Sequence, residues 1–171
     1  IEVRTINSIG FVGRIHAERE PLLWASIVKD FPNLEKIIVG DGPLRTSLKE
    51  VLPSATYLGQ LENEKLLKVW SEIGILLSTA PFESYGLAIR EALLGGVPVV
   101  AKESAGVKQL TTSFPNLIKT YTTVDEARRQ ISSFISKQPT SEEFLSFRNW
   151  FISTQETSLT ELAKLWKSIS D

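Results

Sequence analysis

Two carboxylates flank a glycine-led helix start in Glu83-Ser84-Tyr85-Gly86-Leu87-Ala88-Ile89-Arg90-Glu91. A helix beginning near Gly86 presents unpaired backbone N–H groups and a partial positive charge, an anion site that no side chain at Gly86 blocks. Glu91, five residues on, stands roughly 7.5 Å along that axis, about the spacing between a diphosphate and the hydroxyls of a ribose. Glu83 precedes the helix on the far side of the same site, where its carboxylate can accept hydrogen bonds from sugar hydroxyls. Gly13-Arg14 offers a second constellation. Glycine lets backbone approach a ligand, Arg14 brings a forked donor suited to phosphate, and Arg19 aims another cation at the same place. One pocket then holds sugar at Glu83, phosphates at Gly86 and the arginines, and ribose at Glu91. Taken singly, each residue has a plainer alternative: solvated arginines, a carboxylate at a helix start, a solvated helix residue. Gly40-Asp41-Gly42-Pro43 by itself is ordinary turn chemistry, and His16 is a loop histidine with a partly exposed ring.

These residues act together only if the chain brings them to one edge. Short β-rich apolar runs alternate with stretches of helical period, the pattern of an α/β protein. Strands are predicted over Ser8–Val12, Lys36–Val39, Ala55–Leu58, Gly74–Thr79, Val97–Ala101 and Leu117–Tyr121. Helices are predicted over Pro21–Phe31, with Leu22, Leu23, Ile27 and Val28 on the apolar face, over Leu44–Val51, Glu62–Ile73 and Gly86–Leu94, and briefly near Val107. Beyond Thr123 the pattern is helical to the end, with Ala127, Ile131, Phe134 and Ile135 on one face and Leu159, Leu162, Leu165 and Trp166 on another. Strands each followed by a helix imply a Rossmann-like, doubly wound parallel sheet of about six strands, because parallel neighbours need crossovers. Ligands of such sheets sit outside the carboxyl ends of the strands, at the switch in strand order. The loops that matter are Gly13–Glu20, Gly40–Pro43, Gly59–Leu61 and Ala80–Gly86.

Composition narrows the chemistry further. The 171 residues are expected to form one domain, 1–171, with C-terminal helices from about 124. There is no Cys and no Met, and the chain opens on Ile1, so we read it as a fragment or a processed chain. Zero Cys excludes disulfides, thiolate metal sites and a Cys nucleophile, and a single histidine excludes a multi-His metal centre. A net charge of −1 carries no bias toward nucleic acid or an anionic membrane. No apolar run approaches the roughly 20 residues of a membrane span, and no signal-peptide pattern precedes Ser8. The dinucleotide fingerprint G-x-G-x-x-G is unmatched, which counts against a nicotinamide cofactor.

The Glu83–Glu91 stretch resembles the E-x7-E motif of retaining glycosyltransferases of family 4, the group 1 nucleotide-sugar enzymes with the GT-B fold. Phe11-Val12-Gly13-Arg14-Ile15 with Glu18-Arg19 is similar to that family's strand-one G-R-L and E-K-G loop. Ile38-Val39-Gly40-Asp41-Gly42-Pro43 is similar to its V-G-x-G-P, Tyr57-Leu58-Gly59 to its F-L-G, and Gly96-Val97-Pro98-Val99-Val100-Ala101 to its G-x-P-V-V-A. The resemblance covers the C-terminal, donor-binding half of a GT-B enzyme. Four positions depart from the pattern: Arg19 stands for the usual Lys, Glu20 for Gly, Tyr85 for Phe, and Gln109, in Ala105-Gly106-Val107-Lys108-Gln109, for Glu.

The resemblance implies that Arg14 and Arg19 bind the donor diphosphate and that Glu83 contacts the transferred sugar. The Ser84-Tyr85-Gly86-Leu87 loop holds phosphates through its backbone, Gly13 and Gly42 allow close approach, Glu91 takes the ribose, and Leu58-Gly59-Gln60 lines the base pocket. It implies front-face transfer from a UDP- or GDP-sugar with no metal and no cofactor. It further implies a saccharide or lipid-linked acceptor bound by an N-terminal half, no nucleic-acid partner, and a cytoplasmic location with peripheral membrane association of the parent left open. A non-catalytic nucleotide or nucleotide-sugar binding module and a GT-B-like sugar-nucleotide epimerase remain alternatives. The fragment is expected to fold and bind donor, and not to catalyse transfer alone.

Overall fold

The computed structural model describes residues 5–170, and side chains throughout except at 63, 64 and 157–170. Six strands, β1 (Ser8–Val12), β2 (Glu35–Val39), β3 (Thr56–Gly59), β4 (Ile75–Ser78), β5 (Val99–Lys102) and β6 (Ile118–Tyr121), pair in parallel in the order β3-β2-β1-β4-β5-β6. The expected doubly wound α/β sheet is therefore the observed one. Its strands are buried on both faces, as parallel sheets require.

The two faces have separate cores. On one, α1 (Pro21–Val28), α2 (Arg45–Val51) and α6 (Val124–Ser136) bring Trp24, Leu48, Ile131 and Phe134 against Ile9, Phe11, Ile75 and Val100. Trp24 meets Phe11 edge to face at 5.8 Å. On the other, α3 (Asn63–Val69), α4 (Leu87–Leu94), α5 (Ala105–Ser113) and α7 (Ser141–Ser170) bring Trp70, Ile89, Val107 and Phe147 against Leu76, Val99 and Ile118. The helices that follow β1 and β2 thus lie on one face, and those that follow β3, β4 and β5 lie on the other. β1 and β4 are neighbours whose outgoing loops part to opposite faces, and this opens the switch-point crevice.

Several expected boundaries shift for local reasons. α1 stops at Val28 rather than Phe31, because Asp30 and Phe31 donate to Ile27 and Val28 in tight turns and not to carbonyls four residues back. Leu22, expected on its apolar face, is 43% exposed, while Trp24 and Ala25 are buried in its place. α3 spans only Asn63–Val69 because Ser71 and Glu72 turn sharply back toward Lys68 and Val69. β5 begins at Val99, after Pro98, which has no N–H to give a ladder. The brief helix near Val107 is nine residues long. The C-terminal helical stretch breaks into α6 and α7. α6 starts at a reciprocal cap, with Thr123 Oγ1 accepting from Glu126 N–H and the Glu126 carboxylate from Thr123 N–H, both at 3.2 Å. Ile135, expected on its apolar face, is 39% exposed. Leu159, Leu162, Leu165 and Trp166 lie outside the residues whose side chains are described.

Candidate functional site

The switch-point crevice draws on β1, β4, the loop after each, and α4. Leaving β1, the chain meets Gly13, whose N–H donates to Val39 O at 3.0 Å, and Ile15, whose N–H donates to Asp41 O at 2.9 Å. The loops after β1 and β2 are thereby zipped together. A Cβ at Gly40 would stand 1.9 Å from Gly13 O, and one at Gly42 would stand 2.5 Å from Ile15 O. Those glycines are needed for backbone packing, which accounts for Gly42 without a ligand. Gly13 has open space beside it.

A 3-10 turn, Ala17–Arg19, follows, with Nδ1 of His16 facing Glu18 N–H at 3.5 Å. Glu20 then adopts a left-handed conformation, φ 47°, the only non-glycine with positive φ among the described residues. This is the position where the family motif carries Gly, and the backbone explains why: a side chain there is strained by on the order of 1 kcal/mol. Two contacts hold Glu20 in place. Its carboxylate meets Lys102 Nζ at 2.7 Å, and the buried Thr79 hydroxyl, at the end of β4, donates to Arg19 O at 2.6 Å, with Glu20 O at 3.1 Å. Thr79 and Lys102 escape sequence reasoning because their partners lie 60 and 82 residues away.

Held this way, Arg19 reaches across the crevice and its Nη1 pairs directly with Glu83 Oε2. The other carboxylate oxygen, Oε1, accepts the Gly86 N–H at 3.1 Å. Gly86 caps α4 in the left-handed region, φ 70°, where glycine carries no Cβ penalty. Glu83 is 12% exposed at its side chain and Arg19 is 35% exposed. The structure thus unites Arg19, Glu83 and Gly86, and it corrects the sequence picture in two respects, at Glu83 and at Glu91, which lines a separate hollow. The Glu83 carboxylate does not face Gly86 across an anion site: it occupies that site, as a built-in anion for both the helix end and the guanidinium. Beside it lies a cavity of about 20 Å³ lined by Phe11, Thr79, Ala80 and Ile89.

Loop Ala80–Tyr85 is exposed at Phe82, Ser84 and Tyr85, and a neighbouring loop buttresses it. Ser104 Oγ donates to Glu83 O at 3.3 Å, and Gly106 in the first turn of α5 packs so tightly that a Cβ there would lie 2.1 Å from both Glu83 O and Ser84 O. Gln109 is exposed on α5.

Three other expected groups stand apart. Arg14 is 75% exposed and pairs with Glu18 at 3.4 Å, an i,i+4 surface contact worth under about 1 kcal/mol, so its guanidinium is free to exchange partners. Leu58, Gly59 and Gln60 end β3, two strand spacings or about 10 Å from β1. Gly40 N–H donates to Gly59 O at 2.7 Å and ties that rim to the zipped loops. Leu87, 62% exposed, opens α4, where first-turn N–H groups have no carbonyl within the helix.

Glu91 lines a different hollow, of about 380 Å³, with Leu67, Trp70, Leu94, Arg148 and Phe151 between α3, α4 and α7. Its carboxyl has no hydrogen-bond or ion-pair partner among the described residues, and burial pushes its pKa above the ordinary carboxyl value. A folded-state pKa raised in this way adds stability below the unfolded value, lost as pH rises through the folded one. At neutral pH the ionised Glu91 therefore weakens the fold. Glu91→Gln is expected to raise the melting temperature by about 2 °C at pH 7. The gain should vanish below about pH 4, which thermal melts across pH will check.

No group of three or more metal-ligating side chains occurs among the described residues, and no helix among them is long and apolar enough to cross a membrane.

This architecture and site have counterparts among known proteins. An α-mannosyltransferase dependent on GDP-mannose, from Mycolicibacterium smegmatis, is 33% identical over 106 residues, which is 60% of this chain and 27% of that protein. A point mutant of S. aureus TarM, solved with fondaparinux, α-GlcNAc-glycerol and UDP, superposes with a TM-score of 0.78 at 19% identity, over 96% of this chain and 36% of TarM. The C-terminal domain of a group 1 family glycosyl transferase (LpcC) from Francisella tularensis superposes with a TM-score of 0.61 at 16% identity, covering 81% of this chain and 80% of that domain. The chain thus spans about a quarter of that curated relative, yet most of a separately solved C-terminal domain. Residues 6–135 match the family model of the group 1 glycosyl transferases, from before β1 to the last turn of α6, and by that match the chain belongs to this family.

Proposed function

We infer that this domain binds the nucleotide-sugar donor of a retaining, family 4 glycosyltransferase. The observation that carries the reading is the meeting of Arg19, Glu83 and the Gly86 end of α4 at the switch between β1 and β4. A guanidinium and a helix N-terminus converge there on one carboxylate, and a diphosphate presents them with the same kind of anionic oxygens. On donor entry the phosphates take over the N–H groups of Gly86 and Leu87 and the Arg19 guanidinium, Arg14 leaves its weak surface pair to join them, and the released Glu83 carboxylate turns to the sugar hydroxyls. Charge building on the leaving diphosphate is then met by fixed donors, with no metal or cofactor required. The rim at Leu58–Gln60 takes the base, and Glu91 is assigned the ribose from the family resemblance, although it lines a hollow apart from the crevice. A carboxylate with no partner among the described residues, whose pKa burial pushes up, is the kind of stability cost expected of a binding residue.

The donor is a UDP- or GDP-sugar. Its acceptor, a saccharide or lipid-linked saccharide, is held by a further domain of the parent enzyme, which we place in the cytoplasm where nucleotide sugars are made. TarM, with UDP bound, supports the ligand class, and the mannosyltransferase relative supports the reaction class.

Calorimetric titration of the 171-residue chain with UDP, GDP and their sugars is expected to show binding of at least one. Arg19→Ala should weaken it by about 10- to 100-fold, the worth of a charge-assisted contact. Absence of binding to every nucleotide at millimolar concentration removes the reading.

A further inference from the structure

The loop carrying Glu83 is exposed, and one residue beyond it grips it from two sides. Arg90, on the second turn of α4, donates from Nε to the carbonyl of Tyr85 at 2.9 Å, while its backbone N–H donates to Gly86 O at 2.9 Å. Its guanidinium carbon lies 4.2 Å from the centroid of the Tyr85 ring and 5.8 Å from that of Trp150, on α7. Gln155, a turn further along α7, donates from Nε2 to the Tyr85 hydroxyl at 3.1 Å. Trp150 is itself fixed, edge to face with Phe114 at 5.2 Å and beside the fully buried Phe147 at 5.7 Å. A continuous set of contacts therefore runs from the aromatic anchor of α7 through Arg90 to the Tyr85 carbonyl, and from there to Gly86 and Glu83.

We propose that Arg90 is a positioning residue that couples α7 to the anion seat, so that the placement of α7 sets how well the seat is formed. The physical case is selective. Without Arg90, the Tyr85 carbonyl loses its side-chain donor and the Tyr85 hydroxyl keeps only the Gln155 contact, so the turn into α4 rests on the Glu83 contacts and the Ser104 and Gly106 buttress alone, with lower local stability. A planar, forked cation is what the geometry uses: one nitrogen for the carbonyl and one face for the ring, which Lys cannot reproduce. Tyr85, where the family resemblance expects Phe, adds the hydroxyl to which Gln155 donates.

The proposal rests on the donor-binding reading for its ligand, and two readouts keep the two apart. The first needs no ligand: Arg90→Met, with thermal melting as fold control, should speed hydrogen exchange at the Gly86 and Leu87 amides by about tenfold while α1 and α6 amides stay unchanged. The second titrates UDP and GDP into wild type and variant, where affinity should fall by about tenfold. In the chain labelled with 5-fluorotryptophan, the Trp150 resonance should move on nucleotide addition and stay still in Arg90→Met. If wild type binds neither nucleotide, the donor reading fails and the exchange result alone decides for or against Arg90. Exchange at Gly86 and Leu87 within twofold of wild type, or unchanged affinity, overturns the proposal. Should Arg90→Met fail to fold, Arg90→Lys takes its place, with the same expectations and the same overturning results.

Discussion

Glu83→Gln is expected to lower sugar transfer by the parent enzyme about 100-fold or more while making bare UDP or GDP bind about tenfold more tightly. The two effects have opposite signs because the carboxylate plays two parts in succession. In the structure it is the anion held by Arg19 and the Gly86 N–H. A diphosphate must displace it, and afterwards feels its charge at close range, where a like-charged neighbour costs a few kcal/mol at an effective dielectric of about 20. Glutamine keeps the carbonyl that Gly86 needs and drops the charge, so the competitor weakens and bare nucleotide gains. Transfer suffers because the hydroxyl contacts made by an ionised carboxylate, roughly twice as strong as neutral ones, are lost at the sugar. Calorimetry for affinity and a radiolabelled transfer assay for activity check the pair. Bare nucleotide binding that weakens in Glu83→Gln refutes the displacement.

The second large effect lies one residue shell away. Gly106→Ala is expected to destabilise the chain by about 3 kcal/mol and to abolish measurable nucleotide binding, although residue 106 touches no ligand in this scheme. An added methyl would lie 2.1 Å from two carbonyl oxygens of the Glu83 loop, and backbone cannot yield as a flexible side-chain tip does. Either α5 or the loop must shift by about 1 Å, and displacements of that size cost on the order of 100-fold in a positioned site. Gly13→Ala is the control for stability alone: its Cβ meets nothing within 4 Å, so only the φ of 145° penalises it and the Glu83 loop stays in place. Urea unfolding of both variants, with nucleotide titration of Gly106→Ala, checks the expectation.

The sequence made the sheet legible because parallel strands buried on both faces read as apolar runs such as GILLST and VPVVA, each closed by glycine or polar loop residues. Helix ends were less legible, since α1 and α3 close through turns whose residues, Phe31 and Ile73, continue the apolar pattern past the last helical residue. The site divides in the same way. Glu83, Gly86 and the Arg19 loop were readable from local chemistry, a carboxylate and a glycine before a helix and cations after a strand. What occupies the anion seat was not, because the Arg19–Glu83 pair spans 64 residues. Thr79, Lys102, Ser104 and Gly106 act through carbonyls or charges on other loops, and a one-dimensional pattern carries no trace of them. Glu91 was readable as a helix residue at a useful spacing, whereas its placement beside Arg148 and Phe151 depends on how α7 returns across α4.

On the donor-binding reading, the built-in anion also makes the site selective by competition. A carboxylate tethered three residues from the helix end acts at an effective concentration of millimolar order, always present and never diluted. Free phosphate or a stray carboxylate metabolite must displace it one contact at a time. A ligand that also grips a second point, some 10 Å away at the end of β3, wins through its own linked contacts. The crevice is then kept clear for extended, two-ended molecules by a residue of the chain itself.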